Sequence, residues 1–346
     1  MSASNKAPRI AVVGAGLVGA RHARILAGRG MLAAVADPSP AGAAVAGELG
    51  VRCFEGVEAL LAQSGPDGVI VATPNQRHVA DGLACIAAGI PVLVEKPLAG
   101  DLAGAERLVT AARDADVALL VGHHRRYNPL VAAAEAEIVS GRLGRVVAVN
   151  ALCWVRKPDD YFDANWRMEP GAGPVFINLI HDVELLLHLC GDVAEVQAMD
   201  SSAIREFAVE DTAAILLRFR SGALGTLGVS DAVAAPWSWE LTAAENPAYP
   251  ATGASAYAIG GTRGSLSIPD LGLWDSDGEP GWHVPMRRQA LAFDAEDPLV
   301  AQIAHFAEVA KGRAEPKVTG EDGLRALRVL DAIGRSARSG RVVALS

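Results

Sequence analysis

Ile10-Ala11-Val12-Val13-Gly14-Ala15-Gly16-Leu17-Val18-Gly19 is the stretch that decides the fold. Four apolar residues with no polar alternation read as a strand buried on both faces. The G-x-G-x-x-G that follows opens a segment with helical apolar spacing, Leu17–Ala27. Glycine patterns of this length arise by chance. Between a buried strand and a helix, however, each glycine has a task. Gly14 permits a tight turn, Gly16 lets a pyrophosphate approach the backbone, and Gly19 lets helix and strand pack closely. The intervening Ala15, Leu17 and Val18 carry the backbone N–H groups of that turn. A helix N-terminus favours an anion there.

Working outward, the same rhythm repeats. Apolar runs at Leu32–Ala36, Val51–Phe54, Val69–Ala72, Val92–Val94 and Val117–Val121 alternate with helix-length segments Ser39–Leu49, His78–Ala88 and Leu102–Ala115. Strand and helix in alternation predict a doubly wound α/β domain with a parallel sheet. The second strand ends in Asp37, an acceptor for both hydroxyls of an adenosine ribose and a repellent for a 2′-phosphate. Pro38-Ser39-Pro40 follows, with no adjacent cation. NAD is therefore favoured over NADP.

In such sheets ligands bind outside the carboxyl ends of the strands. Three strand ends there are rich in polar groups: Thr73-Pro74-Asn75 with His78, Glu95-Lys96-Pro97, and Gly122 to Pro129 including Arg126 and Tyr127. We expect Thr73, Pro74, Asn75, His78, Glu95 and Lys96 at the cofactor, and Lys96, Arg126 and Tyr127 at the substrate.

After Asn128-Pro129 the pattern changes. A helix is expected over Leu130–Ser140, then longer strands at Val146–Val155, Glu195–Ile204, Thr212–Phe219, Ala223–Asp231 and Ser238–Thr242. Their partial alternation predicts an antiparallel sheet with one face solvated or in an interface. Pro236–Pro285 reads as loops with short strands. Helical patterns at Leu299–Lys311 and Glu321–Arg338 close the chain. The division is placed at 1–124 and 125–346.

These features together resemble the glucose-fructose oxidoreductase / inositol dehydrogenase / rhizopine-catabolism (Gfo/Idh/MocA) family. Gly14–Gly19, Asp37, Thr73-Pro74-Asn75, Glu95-Lys96-Pro97 and Arg126-Tyr127-Asn128-Pro129 carry the resemblance. So does the segment Gly171–Leu185, whose glycine-rich turn leads into a helix with His181. The resemblance implies a Rossmann domain followed by an α/β domain with a large, open, mainly antiparallel sheet. It implies NAD(P)-linked oxidation or reduction of sugars, polyols and related polar molecules. It also implies homo-dimers or tetramers formed through that sheet. His181 matches the family's catalytic histidine, beside Lys96. The inositol dehydrogenase branch has an Asp four residues before that histidine; here Ile177 stands there. Asn178 is the nearest polar group, expected on the same helix face as His181. A loop with Trp166 and Arg167 is expected over a polar pocket, so Asn178, Trp166 and Arg167 join the substrate-contact set.

The chemistry leaves two assignments open. Either His181 takes the hydroxyl proton while Lys96 steadies the reacting oxygen, or Lys96 is the base and His181 positions the substrate. Two other functions share the family: a non-catalytic sensor that keeps the dinucleotide fold, and a glycosidase that holds NAD.

Composition narrows the rest. Of 346 residues, 31 are Lys or Arg and 40 Asp or Glu, a formal charge of −9. That acidity argues against nucleic acid as a partner. No apolar run approaches the ~20 residues of a membrane-spanning helix. Cys53, Cys85, Cys153 and Cys190 are far apart and match neither a zinc site nor a disulfide framework. No metal is expected. Met1–Pro8 is short and polar, which reads as a cytoplasmic protein with a frayed start.

Overall fold

The computed structural model describes residues 7–345. The expected frayed start falls mostly outside them. The chain divides into two compact units, Met1–Tyr127 with Asp297–Leu327, and Asn128–Glu296 with Arg328–Ser346.

The first unit begins β1 (Ile10–Val13), α1 (Leu17–Gly28), β2 (Leu32–Ala36), α2 (Pro40–Glu48) and β3 (Cys53–Phe54). It continues with α3 (Val57–Ser64), β4 (Gly68–Val71), α4 (His78–Ala87), β5 (Val92–Val94), α5 (Leu102–Asp114) and β6 (Leu119–Val121). The strands form one sheet in the order β3-β2-β1-β4-β5-β6, and every pair in it is parallel. The order reverses between β1 and β4, the place where a doubly wound sheet opens a crevice. Ser39 and Asp101 cap α2 and α5 by accepting from Gly42 N–H and Gly104 N–H, as N-cap side chains do.

The second unit holds α6 (Pro129–Val139), β7 (Val146–Trp154), α7 (Pro174–Ile177), α8 (Leu179–Cys190), β8 (Val193–Ser201), β9 (Thr212–Phe219) and β10 (Leu224–Ser230). Then come α9 (Trp239–Thr242), β11 (Tyr257–Gly261), β12 (Gly264–Ile268), β13 (Gly272–Ser276) and β14 (Met286–Ala290). After α10 (Pro298–Val309) and α11 (Gly320–Ser339), the short β15 (Val343–Ala344) closes the edge. The nine strands run β14-β13-β12-β11-β7-β10-β9-β8-β15. One pair, β7 with β10, is parallel; the other neighbours are antiparallel. Along β9 the burial alternates, with Ile215, Leu217 and Phe219 in the core and Leu216 exposed.

One expectation changes. Ser238–Thr242 is not a strand: Ser238 Oγ accepts from Leu241 N–H and caps the short helix α9. The region 236–285 is, as expected, mostly loops with short strands, three of five residues each. Residues 297–327 pack with the first unit. The reason is the apolar face of α10. Leu299, Ile303 and Phe306 join the core of Ile10, Val12, Ile70 and Leu93. Each such side chain contributes about 1.5–3 kcal/mol on burial.

Candidate functional site

The glycine turn fits a pyrophosphate for reasons visible in its packing. Gly14 has φ +88°, and a Cβ there would stand 2.6 Å from the Ala72 carbonyl oxygen. A Cβ on Gly19 would stand 1.9 Å from the Gly14 carbonyl oxygen. A Cβ on Gly16 would meet nothing within 4 Å. Two glycines thus close the turn, and the third leaves its outer side open at the start of α1. Gly16, Leu17 and Val18 are exposed there, while Ala15 is buried.

This separation makes a prediction. Gly19→Ala should fail to fold or lose several degrees of thermal stability. Gly16→Ala should melt like the wild type and bind NAD at least tenfold more weakly. Thermal scans with a cofactor titration check both; equal NAD affinity in Gly16→Ala would refute the assignment.

Asp37 ties the turn to β2. Its Oδ2 accepts from Ala15 N–H at 2.7 Å and its Oδ1 from Ser39 N–H at 2.8 Å. Burial pushes its carboxyl up, yet these hydrogen bonds prevail and hold it below the usual range. An ionised acceptor with spare lone pairs stands where a ribose would meet it.

At the end of β5, Glu95 is buried, with Oε1 2.7 Å from His22 Nε2 on α1. Its Oε2 accepts from the Lys96 backbone N–H at 3.2 Å. Burial alone would raise its carboxyl; the His22 hydrogen bond and the charges of His22, His124 and Lys96 overcome that and lower it. Gly122 is required beside it, since a Cβ would stand 2.7 Å from the carboxylate. Lys96 follows as a half-buried side chain.

His123 is buried in the same cluster. Burial, then the charge of Lys96, push it down to about 3 against the opposing pull of Glu95, with His124 and Arg126 adding to the fall. The folded protein therefore refuses a proton that the unfolded chain accepts between the ordinary 6.5 and about 3. Stability is retained above that window and falls with pH inside it, by up to about 1.4 kcal/mol per unit. At pH 5 the wild type should lose about 2 kcal/mol more than His123→Gln, measured by urea unfolding at pH 7 and 5. Equal losses would refute it.

Not every expected contact is free for a ligand. His78 is buried, with Nδ1 2.8 Å from the Pro97 carbonyl oxygen and Nε2 2.8 Å from that of Thr73. It cross-links two strand ends through both ring nitrogens. Thr73 Oγ1 donates to Asp81 at 2.9 Å. Pro74 is exposed and Asn75 half-buried in the turn beside it. Tyr127 is buried, its hydroxyl 3.0 Å from His305 Nδ1. Arg126 donates to the Lys317 carbonyl at 3.2 Å.

In the second unit, His181 and Asn178 stand at the start of α8. Asn178 is not inside the helix: its backbone breaks α7 from α8, and its carbonyl accepts from His181 N–H at 3.2 Å. Its Oδ1 is buried and unpaired. Trp166 is 59% exposed. Arg167 lies 4.1 Å over the Tyr161 ring and 5.3 Å from that of Trp166. Beneath them is a cluster that was not anticipated. Asp231 binds Arg205 Nε at 2.8 Å and Lys157 Nζ at 3.2 Å, all three buried or nearly so.

Residues 8–123 match the oxidoreductase family with an NAD-binding Rossmann fold, and residues 136–345 match its C-terminal α/β domain. The chain belongs to the Gfo/Idh/MocA oxidoreductases. It is 31% identical to 1,5-anhydro-D-fructose reductase of Ensifer adhaerens over 310 residues, covering 87% of this chain and 86% of that one. It is 28% identical to inositol 2-dehydrogenase of Rhizobium meliloti over 362 residues, 98% and 99% of the two chains. Its structure resembles the WlbA dehydrogenase of Bordetella pertussis in complex with NADH and UDP-GlcNAcA. The TM-score is 0.79 at 28% identity over 99% of each chain. As a Gfo/Idh/MocA member this is an NAD-dependent oxidoreductase. Among the described residues no helix is long and apolar enough to cross a membrane. Nor does any group of three or more His, Cys, Asp or Glu there suit a metal ion.

Proposed function

We propose that the protein interconverts a CH–OH group and a carbonyl on a sugar, polyol or related polar molecule, with NAD as the redox partner. The observation that carries the reading is Lys96, set after a buried, ionised Glu95 at the carboxyl end of β5. The relatives' carbohydrate and inositol chemistry supports the substrate class.

The residues that would hold NAD are the Gly14–Gly19 turn at the pyrophosphate and Asp37 at the ribose. Thr73, Pro74 and Asn75, at the end of β4, would complete the cofactor site. Bound there, the nicotinamide ring supplies the hydride acceptor or donor. Lys96 and His181 handle the hydroxyl proton: one takes it and the other steadies the oxygen. Asn178, Trp166 and Arg167 grip the substrate, the Asn178 carbonyl oxygen of the side chain being an unspent acceptor. Ile177 withholds a carboxylate from that proton path.

The protein works in the cytoplasm as a homo-oligomer joined through the open sheet. Leu216 and Leu224 are more than half exposed on that face and line a 630 Å³ apolar concavity. Exposed apolar patches of this kind mark interfaces. A monomer in sedimentation would overturn the assembly.

The test is a cofactor-linked absorbance screen of polyols, sugars and sugar acids with NAD⁺ and, separately, NADP⁺. Reduction with NAD⁺ on one substrate class is expected. A preference for NADP⁺ would overturn the Asp37 argument. Binding of NAD without turnover in either direction would favour a sensor; sugar release without net reduction would favour a glycosidase.

A further inference from the structure

A buried polar chain in the second unit ends at the helix that carries His181. It starts at Asn128, whose Nδ2 donates to Glu245 Oε2 at 3.1 Å. The same oxygen accepts from Trp239 Nε1 at 3.0 Å. The Trp239 ring stacks on Tyr257, with centroids 6.0 Å apart and planes 28° from parallel. The Tyr257 hydroxyl then donates to the carboxyl of Asp182. Trp239 and Tyr257 are 2% exposed and Asp182 is 1% exposed.

A carboxyl buried this completely is costly unless it is bonded, and packing alone would be served by an apolar residue. Its location suggests the reason for keeping it. Asp182 lies in the first turn of α8, directly after His181. That turn follows the break at Asn178 and has no side-chain cap. Uncapped first turns leave N–H groups without intrahelical partners. The hydroxyl of Tyr257 tethers this one to β11, a strand held between β7 and β12. Asp182 and His181 are neighbours in that first turn, so a tether on one holds the backbone that carries the other.

We infer that Tyr257 and Asp182 are positioning residues for His181, fixing where its imidazole stands for proton exchange. The inference rests on the reading that His181 serves the substrate. Misplacing a reacting group by 1 Å can cost about 100-fold in rate.

The test is Tyr257→Phe, which keeps the ring stack and removes one hydroxyl. Expected is a kcat about 10- to 100-fold lower, with KM for NAD within about twofold. Asp182→Asn, still an acceptor for the hydroxyl, should lose less. Ring NMR signals of the protein without cofactor give a readout independent of turnover. With His181→Asn supplying the assignment, the His181 signals should shift in Tyr257→Phe while the other seven of the 8 histidines stay. Unmoved His181 signals with wild-type kcat would overturn the inference. So would a kcat loss matched by loss of folded protein. Wild-type turnover in His181→Asn would instead overturn the reading beneath it, and the ring signals of Tyr257→Phe would still decide whether the tether positions the imidazole.

Discussion

Lys96→Ala should lower kcat by about 10²- to 10⁴-fold while NAD affinity changes little. The argument starts from the strand. β5 is three buried apolar residues, Val92–Val94, so its end is fixed in the core. Glu95 is held next by His22, and its second oxygen meets the Lys96 backbone N–H. Both contacts restrict the peptide that carries Lys96, and so restrict where the ammonium can go. That ammonium helps keep Glu95 ionised and His123 neutral. A charge present before any substrate arrives can stabilise a developing alkoxide. The proposed phosphate and ribose contacts, Gly14–Gly19 and Asp37, lie at other strand ends, so alanine at 96 should leave NAD affinity nearly intact. Lys96→Arg keeps the charge but replaces a compact ammonium with a larger planar fork, and should rescue little. Steady-state kinetics with calorimetric NAD titration decide the matter; unchanged kinetics in Lys96→Ala would remove Lys96 from the reaction.

The fold of the first unit was legible because its sheet is buried on both faces. Continuous apolar runs such as Ile10–Val13 have few other readings, and they fell on strands. The elements that escaped are those with weaker signatures. The eight-residue α3 has two buried side chains, Val57 and Leu60, and too little periodicity to stand out. Ser238–Thr242 has strand-like composition, yet one hydroxyl at Ser238 turns it into a capped helix. The return of α10 to the first unit is invisible locally. Its apolar face shows that it is buried, not against which core.

The site was legible where backbone needs constrain residue type. Gly14 and Gly19 admit no side chain, and between a buried strand and a helix that need is readable in the sequence. Side-chain partnerships were not legible, because they join residues distant in sequence. His22 meets Glu95 across 73 residues, and Tyr127 meets His305 across 178. A histidine one turn into α1 carries no signal of its own. His78 and Tyr127 sat beside the expected crevice in sequence, and their polar atoms are committed to the protein instead.

Asp231→Ala should destabilise the protein by about 3–5 kcal/mol. Asp231 is the shared anion of two cations, Lys157 and Arg205, whose side chains are 9% and 8% exposed. Arg205 also donates to the carbonyls of Asp231 and Lys157 at 2.6 and 2.8 Å. Burial pushes the Lys157 ammonium down, and Asp231 opposes that. With alanine, two cations remain in a site that water reaches poorly, each lacking its principal counter-charge. Exposed pairs such as Arg24–Glu48 should contribute far less, because water and salt screen them. The loss should also reach the loop proposed to grip the substrate. Arg205 lies 4.3 Å over Phe162, and Lys157 lies 5.0 Å over Tyr161, the ring that Arg167 covers from 4.1 Å. Freed of Asp231, both cations can move, and the loop bearing Trp166 and Arg167 loses its floor. Urea unfolding measures the first effect and substrate KM the second. Replacing Asp231 and Lys157 together, by Leu and Met, leaves one buried cation instead of two and should recover part of the stability. A loss below about 1 kcal/mol in Asp231→Ala would mean that water already screens the cluster.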